Sequence, residues 1–282
     1  MIEENPTPNE ENKERQGMKY FLLVLGLLLV IIGGLVGFSR YQKYQRLAQS
    51  CLDGNTAQCL KLGRENFDKK NYAESTQFFE AACYNKLGVA CFYLGLAFER
   101  IKKIEDAKVA YLNACDLDFS FGCTVYAPFA KRNEWELYYS RSCELQDPVG
   151  CSILGSLYSQ DKEIAVKYYK KACDLHLLPT HKDDFSQIAS MHGCVLYGIY
   201  SKKETFSKPG LSFLEKKCQG KTPEACYNLA CIYSLKKEDK KALDYLQQFF
   251  DLGGEKDDWI NKDPELDHIR QNPAFKNLIN NV

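Results

Sequence analysis

The chain has 282 residues, 45% of them hydrophobic, and its 37 basic side chains balance 37 acidic ones. That is enough apolar material for a substantial core, and zero formal charge removes the electrostatic draw toward a polyanion, which excludes nucleic acid as a partner class. Eighteen tyrosines and sixteen phenylalanines suit helical packing layers built from rings better than an aromatic ligand cage.

Residues 1–19 are polar and acidic, with Glu3, Glu4, Glu10, Glu11 and Glu14, and read as a short disordered tail. Tyr20 to Phe38 follow as nineteen uncharged, mostly apolar residues, the length a bilayer core requires, so 20–38 is predicted to be a membrane helix. A cleaved signal peptide is the alternative, although the leading stretch is long and acidic and no Ala-x-Ala site follows. Gly33 and Gly37 form a G-x-x-x-G inside this run, a pattern that also arises by chance in such segments. Lys13, Arg15 and Lys19 before the span and Arg40, Lys43 and Arg46 after it leave its orientation open.

From residue 39 to 253 the chain repeats itself. Cysteine pairs with seven residues between them occur at Cys51 and Cys59, Cys83 and Cys91, Cys115 and Cys123, Cys143 and Cys151, and Cys218 and Cys226; Cys173 and Cys194 form a pair stretched by an insertion. The first cysteines advance by 32, 32, 28, 30 and 45 residues, a period that marks stacked supersecondary units. Twelve regularly paired thiols are best explained by an oxidising compartment, which places the chain beyond residue 40 outside the cytoplasm and the tail within it.

Each second cysteine opens an apolar stripe with a bulky residue at i+3 and a small one at i+4: Leu62 and Gly63, Leu94 and Gly95, Tyr126 and Ala127, Leu154 and Gly155, Tyr197 and Gly198, Leu229 and Ala230. Three residues share one face there, and the small one admits a neighbouring helix; this is helix A. Before each first cysteine a small residue stands eight positions back (Ser75, Ala107, Ala165, Gly210) and a ring or leucine four back (Phe79, Tyr111, Tyr139, Tyr169, Leu214), which defines helix B. Trp135 breaks the rule in the shortened third repeat. Polar clusters such as Asp68 to Asn71 mark the turns, and Thr222, Pro223 and Glu224 form a helix start. Phe250 takes the place of a first cysteine, so the last repeat lacks its pair. Residues 254–282, with Leu266, Ile269, Phe275, Leu278 and Ile279, read as a helical cap over the open end of the core; Tyr41 to Ser50 continue the membrane helix as a B helix without its own A.

These features resemble the Sel-one-like repeat family, relatives of tetratricopeptide repeats, and especially its cysteine-rich branch from Helicobacter. The match rests on the cysteine spacing, on Leu-Gly after Cys91 and Cys151, and on Tyr-Tyr-Lys-Lys-Ala-Cys-Asp-Leu ending at Leu175, and it covers about residues 50 to 253. The resemblance implies an all-α, right-handed solenoid of about six stacked antiparallel helix pairs, with a disulfide inside each pair of cysteines and Cys231 as the free thiol. The apolar span departs from that branch, whose members are secreted: read with the span and the cysteines, the chain lies in a bacterial inner membrane with its repeats in the periplasm, and is secreted in the alternative that the span is cleaved. The resemblance also implies a protein or peptide partner in the cell envelope, and carries the β-lactamase label of that branch, with a β-lactam as a small-molecule ligand.

The disulfide expectation has a physical argument beside it. Each bridge would close a short loop and contribute about 2 to 3 kcal/mol, which matters when a two-helix unit cannot bury its own face. Metal ligation is the rival use, but no C-x-x-C pair occurs, and no metal or cofactor is predicted. Cys231 replaces an apolar residue of helix A and reads as a small hydrophobe. The insertion between Cys173 and Cys194 holds His176, His181, His192, Asp183 and Asp184, residue types that contact partners or metals, yet their spacing fits no strong ligand motif. An exposed polar connection with a short helix from Asp184 to Met191 is the expectation there. Ser159 with Lys162 and Ser234 with Lys237 satisfy S-x-x-K, but no S-D-N or K-T-G accompanies them, so no catalytic residues are assigned. Three function classes follow: an interaction module, preferred because nothing resembles a convergent catalytic centre; a β-lactam hydrolase; and a structural spacer or anchor in the envelope.

Overall fold

In a computed structural model, the described residues are 25, 29, 31–36, 38–39, 41–175, 184–255 and 259–280. Among them there is no β-strand. After a helix α1 over 41–52 come six antiparallel helix pairs: α2 (Thr56–Asp68) with α3 (Tyr72–Tyr84), α4 (Gly88–Arg100) with α5 (Ile104–Asp116), α6 (Ser120–Tyr126) with α7 (Trp135–Glu144), α8 (Pro148–Leu157) with α9 (Lys162–Asp174), α10 (Asp184–Tyr200) with α11 (Glu204–Gln219), and α12 (Pro223–Leu235) with α13 (Asp239–Asp251). A last helix, α14 (Pro273–Asn280), follows a 3₁₀ turn at Pro264–Leu266. The even-numbered helices from α2 to α12 are the predicted A helices, and the odd-numbered ones are the B helices.

One turn type explains both the tight reversals and the cysteine spacing. At Lys70, Lys86, Lys102, Asp118, Gln146, Lys202, Lys221 and Lys237 the backbone is left-handed, with φ between 56° and 66°. Around Lys86 the N–H of that residue donates to Cys83 O at 2.9 Å, and Leu87 N–H reaches back five residues to Ala82 O at 3.2 Å. This closes the preceding helix in a Schellman arrangement and sends the chain straight into the next one. The left-handed residue stands three after the first cysteine and five before the second. The same count holds at Asp118, Gln146 and Lys221, so the eight-residue step is the length of the turn. The six pairs predicted from spacing and resemblance stand as disulfides with Cα–Cα separations of 4.4 to 4.8 Å.

Within a pair, A and B cross at the predicted small residue. A Cβ on Gly63 would lie 2.5 Å from Phe79, one on Gly95 2.4 Å from Tyr111, and one on Gly155 2.5 Å from Tyr169. All three rings are buried. Absence of a side chain on A therefore makes the slot that the B ring fills in these three pairs, and burying the ring there is a large apolar gain.

Three expectations need correction. The insertion does not yield a short separate helix from Asp184 to Met191: those residues are the first two turns of the 17-residue α10, which runs on through Cys194. Apolar positions Ile188 and Ala189 continue the buried stripe of the helix A that follows, so the pattern does not break at residue 191. His176, His181 and Asp183 lie outside the described residues. In the third repeat α6 ends after seven residues and two 3₁₀ turns, Ala127–Phe129 and Arg132–Glu134, replace its second half, because Pro128 has no N–H to continue the ladder.

The third correction concerns the cap. Phe275 is buried in the core that includes α12 and α13, with Leu278 and Ile279 packed alongside. Residues 259–269 instead turn back over the A helices, burying Ile260, Leu266 and Ile269 in the same core as α10 and α12 and setting Trp259 against Trp135 of α7 at 5.5 Å between rings. At the other end, the predicted span over 20–38 lies largely outside the described residues; among those described, no helix is long and apolar enough to cross a membrane.

Candidate functional site: an inner-face cavity over a buried polar network

Successive A helices touch one another (α2 with α4, α4 with α6, α8 with α10, α10 with α12) more closely than successive B helices do. The A helices therefore line the inner side of the solenoid. On that side, between α8, α10, α12 and the returning segment, lies a cavity of about 310 Å³. Val149 and Ile153 of α8, Phe185 and Ile188 of α10, Phe249 and Trp259 supply apolar walls. Its volume is at the small end of ligand sites, and its walls have the apolar character usual for them.

Beneath it, one hydrogen-bonded network ties four helices to the returning segment. Asp263 Oδ1 accepts from Ser156 Oγ of α8 at 3.2 Å and from the N–H of Glu265 at 2.9 Å, the latter capping the Pro264–Leu266 turn. Its Oδ2 accepts from Tyr227 Oη at 2.7 Å and lies 3.7 Å from the Cys231 thiol, both on α12. Glu265 Oε1 accepts from Tyr169 Oη of α9 at 2.8 Å, and Oε2 is 3.0 Å from His192 Nε2 of α10, an ion-pair contact that lies off the line of a good hydrogen bond. His192 Nδ1 is 2.9 Å from Ser152 Oγ of α8. Asp263 and Glu265 are only 3% and 2% exposed, so both carboxylates sit out of water.

Burial and the neighbouring Glu265 charge push the Asp263 carboxyl up to about 6. Burial pulls the His192 imidazole down, but Glu265 and Asp263 outweigh it and the net shift is upward. Tyr169 and Tyr227 are raised well above the ordinary phenol value by burial first and then by the carboxylate each one bonds. The Cys231 thiol is likewise raised well above its usual range by burial and by Asp263 and Glu265, so it stays protonated at neutral pH and is a poor nucleophile.

Ser152, His192 and Glu265 have the residue types of a nucleophile, a base and an orienting acid. Ser152 stands inside α8, however, where the surrounding backbone N–H groups are engaged in the helix ladder and do not converge on a developing oxyanion. Cys231, Asp263 and Glu265 offer ligand atoms within 4.8 Å of one another, a donor set that suits a divalent transition metal. Their carboxylate oxygens already meet Ser156, Tyr227, Tyr169 and His192. That network accounts for them as a latch on the returning segment.

Of the residues singled out in the sequence, His192 is brought into this network rather than into an exposed connection, and Asp184 is an exposed residue paired with Lys217 at 2.7 Å. Cys231 is buried as expected for a small hydrophobe, yet it faces a carboxylate. The S-x-x-K serines do not form sites: the Ser159 and Ser234 hydroxyls are buried without hydrogen-bond partners, and Lys237 stands in a left-handed turn. Ser152, Tyr227, Trp259 and Glu265 were not marked by sequence reasoning. The sole local signal was Asp263-Pro264-Glu265, which has the form of a capped turn.

Residues 223–252, the α12–α13 pair, match the family model of the tetratricopeptide repeat. No curated protein matches the chain. Among solved structures, a chain in the crystal structure of the APC/C hetero-tetramer Cut9–Hcn1 is similar at 15% identity and a TM-score of 0.46, over 84% of this chain and 45% of that one. This chain thus spans less than half the length of that structural relative. The comparisons reach the tetratricopeptide type of repeat and not the finer cysteine-rich Helicobacter branch: the chain is an all-helical repeat protein with a tetratricopeptide-type pair at α12–α13.

Proposed function

We propose that this protein is a membrane-anchored binding or scaffold module of the bacterial envelope, whose repeats face an oxidising periplasm and hold a protein or peptide partner on the A-helix side. The observation that carries the reading is the inner face itself. Stacked A helices present an extended groove, and its floor at α8, α10 and α12 is fixed by a buried network rather than by a catalytic centre. Six cysteine pairs at disulfide separation support the oxidising compartment, and the apolar run over 20–38 supports the anchor. The β-lactam hydrolase reading finds no support in the S-x-x-K runs.

The test is site-specific photo-crosslinking in cells expressing the full chain. Probes replacing Phe185 or Asn228 on the inner face should yield one discrete adduct, and probes replacing the exposed Tyr84 or Val109 on B helices should not. Equal labelling from both sides, or none from the inner face, rejects the binding role. Protease added to spheroplasts should cut the repeats; full protection would reverse the topology.

A further inference from the structure

The inner-face cavity is unbalanced in charge. Its described lining includes Glu224, Glu255, Asp263 and Glu265 against one histidine, and no lysine or arginine. Glu224 and Glu255 are exposed at the rim, whereas Asp263 and Glu265 lie under it out of contact with water. Hydrogen bonds from Ser156, Tyr227 and Tyr169 satisfy lone pairs without neutralising charge, His192 can offset only one of the two buried carboxylates, and the nearby Arg270 donates to the Asp263 backbone carbonyl and pairs with Asp267 rather than with either of them. A buried anion without a full counter-charge favours any cation that can approach it through a low-dielectric space. The walls above this floor carry the rings of Tyr227, Phe249 and Trp259, and aromatic rings attract cations that come to lie over their faces.

We propose that this cavity binds a cationic nitrogen carried on an apolar stem, with the cation over the Asp263 and Glu265 floor and the stem between Phe249 and Trp259. Two sources share that chemistry: a free organic amine, or a lysine or arginine side chain of a partner segment lying along the A helices. The partner source rests on the binding role above; the free-amine arm tests the cavity by itself.

The experiment uses the full, oxidised chain in detergent and titration calorimetry with phenethylamine, which is cationic at pH 7, against the neutral isostere 2-phenylethanol and the anion 3-phenylpropionate. Phenethylamine should bind one to one and at least tenfold more tightly than the alcohol, and the anion should not bind. Glu224→Gln together with Glu255→Gln, both at exposed positions, should weaken the amine severalfold and leave the alcohol unchanged. Asp263→Asn should abolish the preference if the variant folds; the rim pair keeps the test decisive if it does not. A blocked heptapeptide with a central lysine between leucines, compared with its norleucine counterpart, separates the sources. Lysine-dependent binding tighter than phenethylamine assigns a partner side chain, and amine binding without peptide competition assigns a free amine. Equal affinity for amine and alcohol overturns the proposal. So does cobalt(II) giving thiolate-to-metal absorption at Cys231 while no amine binds, which would make the cluster a metal site. Amine binding without inner-face crosslinks would sink the partner role alone, and crosslinks without amine binding would sink this inference alone.

Discussion

A Cβ added to Gly155 would stand 2.5 Å from the ring of Tyr169, the residue whose hydroxyl holds Glu265 of the returning C-terminal segment. The crossing of α8 and α9 and the attachment of residues 259–269 are thus one structural decision. Gly155→Ala should force the ring out of its slot and cost about 1 to 3 kcal/mol, the usual range for overpacking. It should also loosen the C-terminal segment, because a displaced ring no longer reaches Glu265. Urea denaturation reads the first effect, and limited proteolysis between residues 255 and 270 reads the second. A variant with wild-type stability and wild-type cleavage would show that the ring has another place to go.

The disulfides should contribute unequally. Cys83–Cys91 closes a sequence separation of 8 and Cys173–Cys194 one of 21. Chain entropy then predicts losses of about 2.5 and about 3.5 kcal/mol when each pair is replaced by serines. Native protein should show no thiol reactive to Ellman's reagent, and unfolding without reductant should reveal one, from Cys231. Thirteen reactive thiols on unfolding would mean that the pairs are reduced in the cell, and the compartment assignment would fall with them.

The turns offer a gain in stability. Lys70, Lys86, Lys102 and Lys202 hold a left-handed backbone that costs a residue with a Cβ about 1 to 2 kcal/mol, while glycine loses about 0.5 to 1 kcal/mol more chain entropy on folding. The balance favours Lys→Gly by about 0.5 kcal/mol at each turn. The four residues stand in four separate turns, so combining them should add to about 2 kcal/mol. Thermal unfolding of the quadruple variant checks this, and a lower midpoint would mean that the lysine side chains hold the turns.

Why so much of the solenoid was legible is visible in the same residues. Leu-Gly after a cysteine and a ring four before the next are local patterns, and each crossing needs only those two positions. A second close contact went unread although it was present: Gly122 meets Ala114, Gly150 meets Ser142 and Gly193 meets Ala172, so the residue before each of these cysteines is small on both helices. These three disulfides are flanked by that contact, and a small residue before both cysteines of a pair was its signal. The candidate site was not legible, because it joins Ser152 to His192 across 40 residues and Tyr169 to Glu265 across 96. No repeat rule covers residues 259–265, since they occur once and their partners lie on four different repeats. Asp263 in particular looked like a turn former, and only its burial among Ser156, Tyr227 and Cys231 reveals the rest of its role.

That burial sets the last prediction, the pH dependence of the C-terminal latch. The Asp263 carboxyl is raised from an ordinary 3.8 to about 6, chiefly by burial and then by Glu265. The folded state therefore binds a proton more tightly than the unfolded one, and stability is highest below pH 4 as far as this group decides. It falls as pH rises through about 6. His192, also raised, acts in the same direction: the folded state loses its preference for the protonated ring as pH climbs past the raised value. Glu265, Tyr227, Cys231, Ser156 and Arg270 complete the polar surroundings of Asp263, and Arg270 donates to its backbone carbonyl rather than to the carboxylate. Proteolysis between residues 255 and 270 should accordingly be faster at pH 8 than at pH 5.5 after correction for protease activity. Asp263→Asn should flatten the profile between pH 4 and 6 while leaving the His192 contribution. A wild-type profile that is already flat, or that rises with pH, would mean that the carboxylates reach a counter-charge in solution, and the bound cation inferred for the cavity is the first candidate for it.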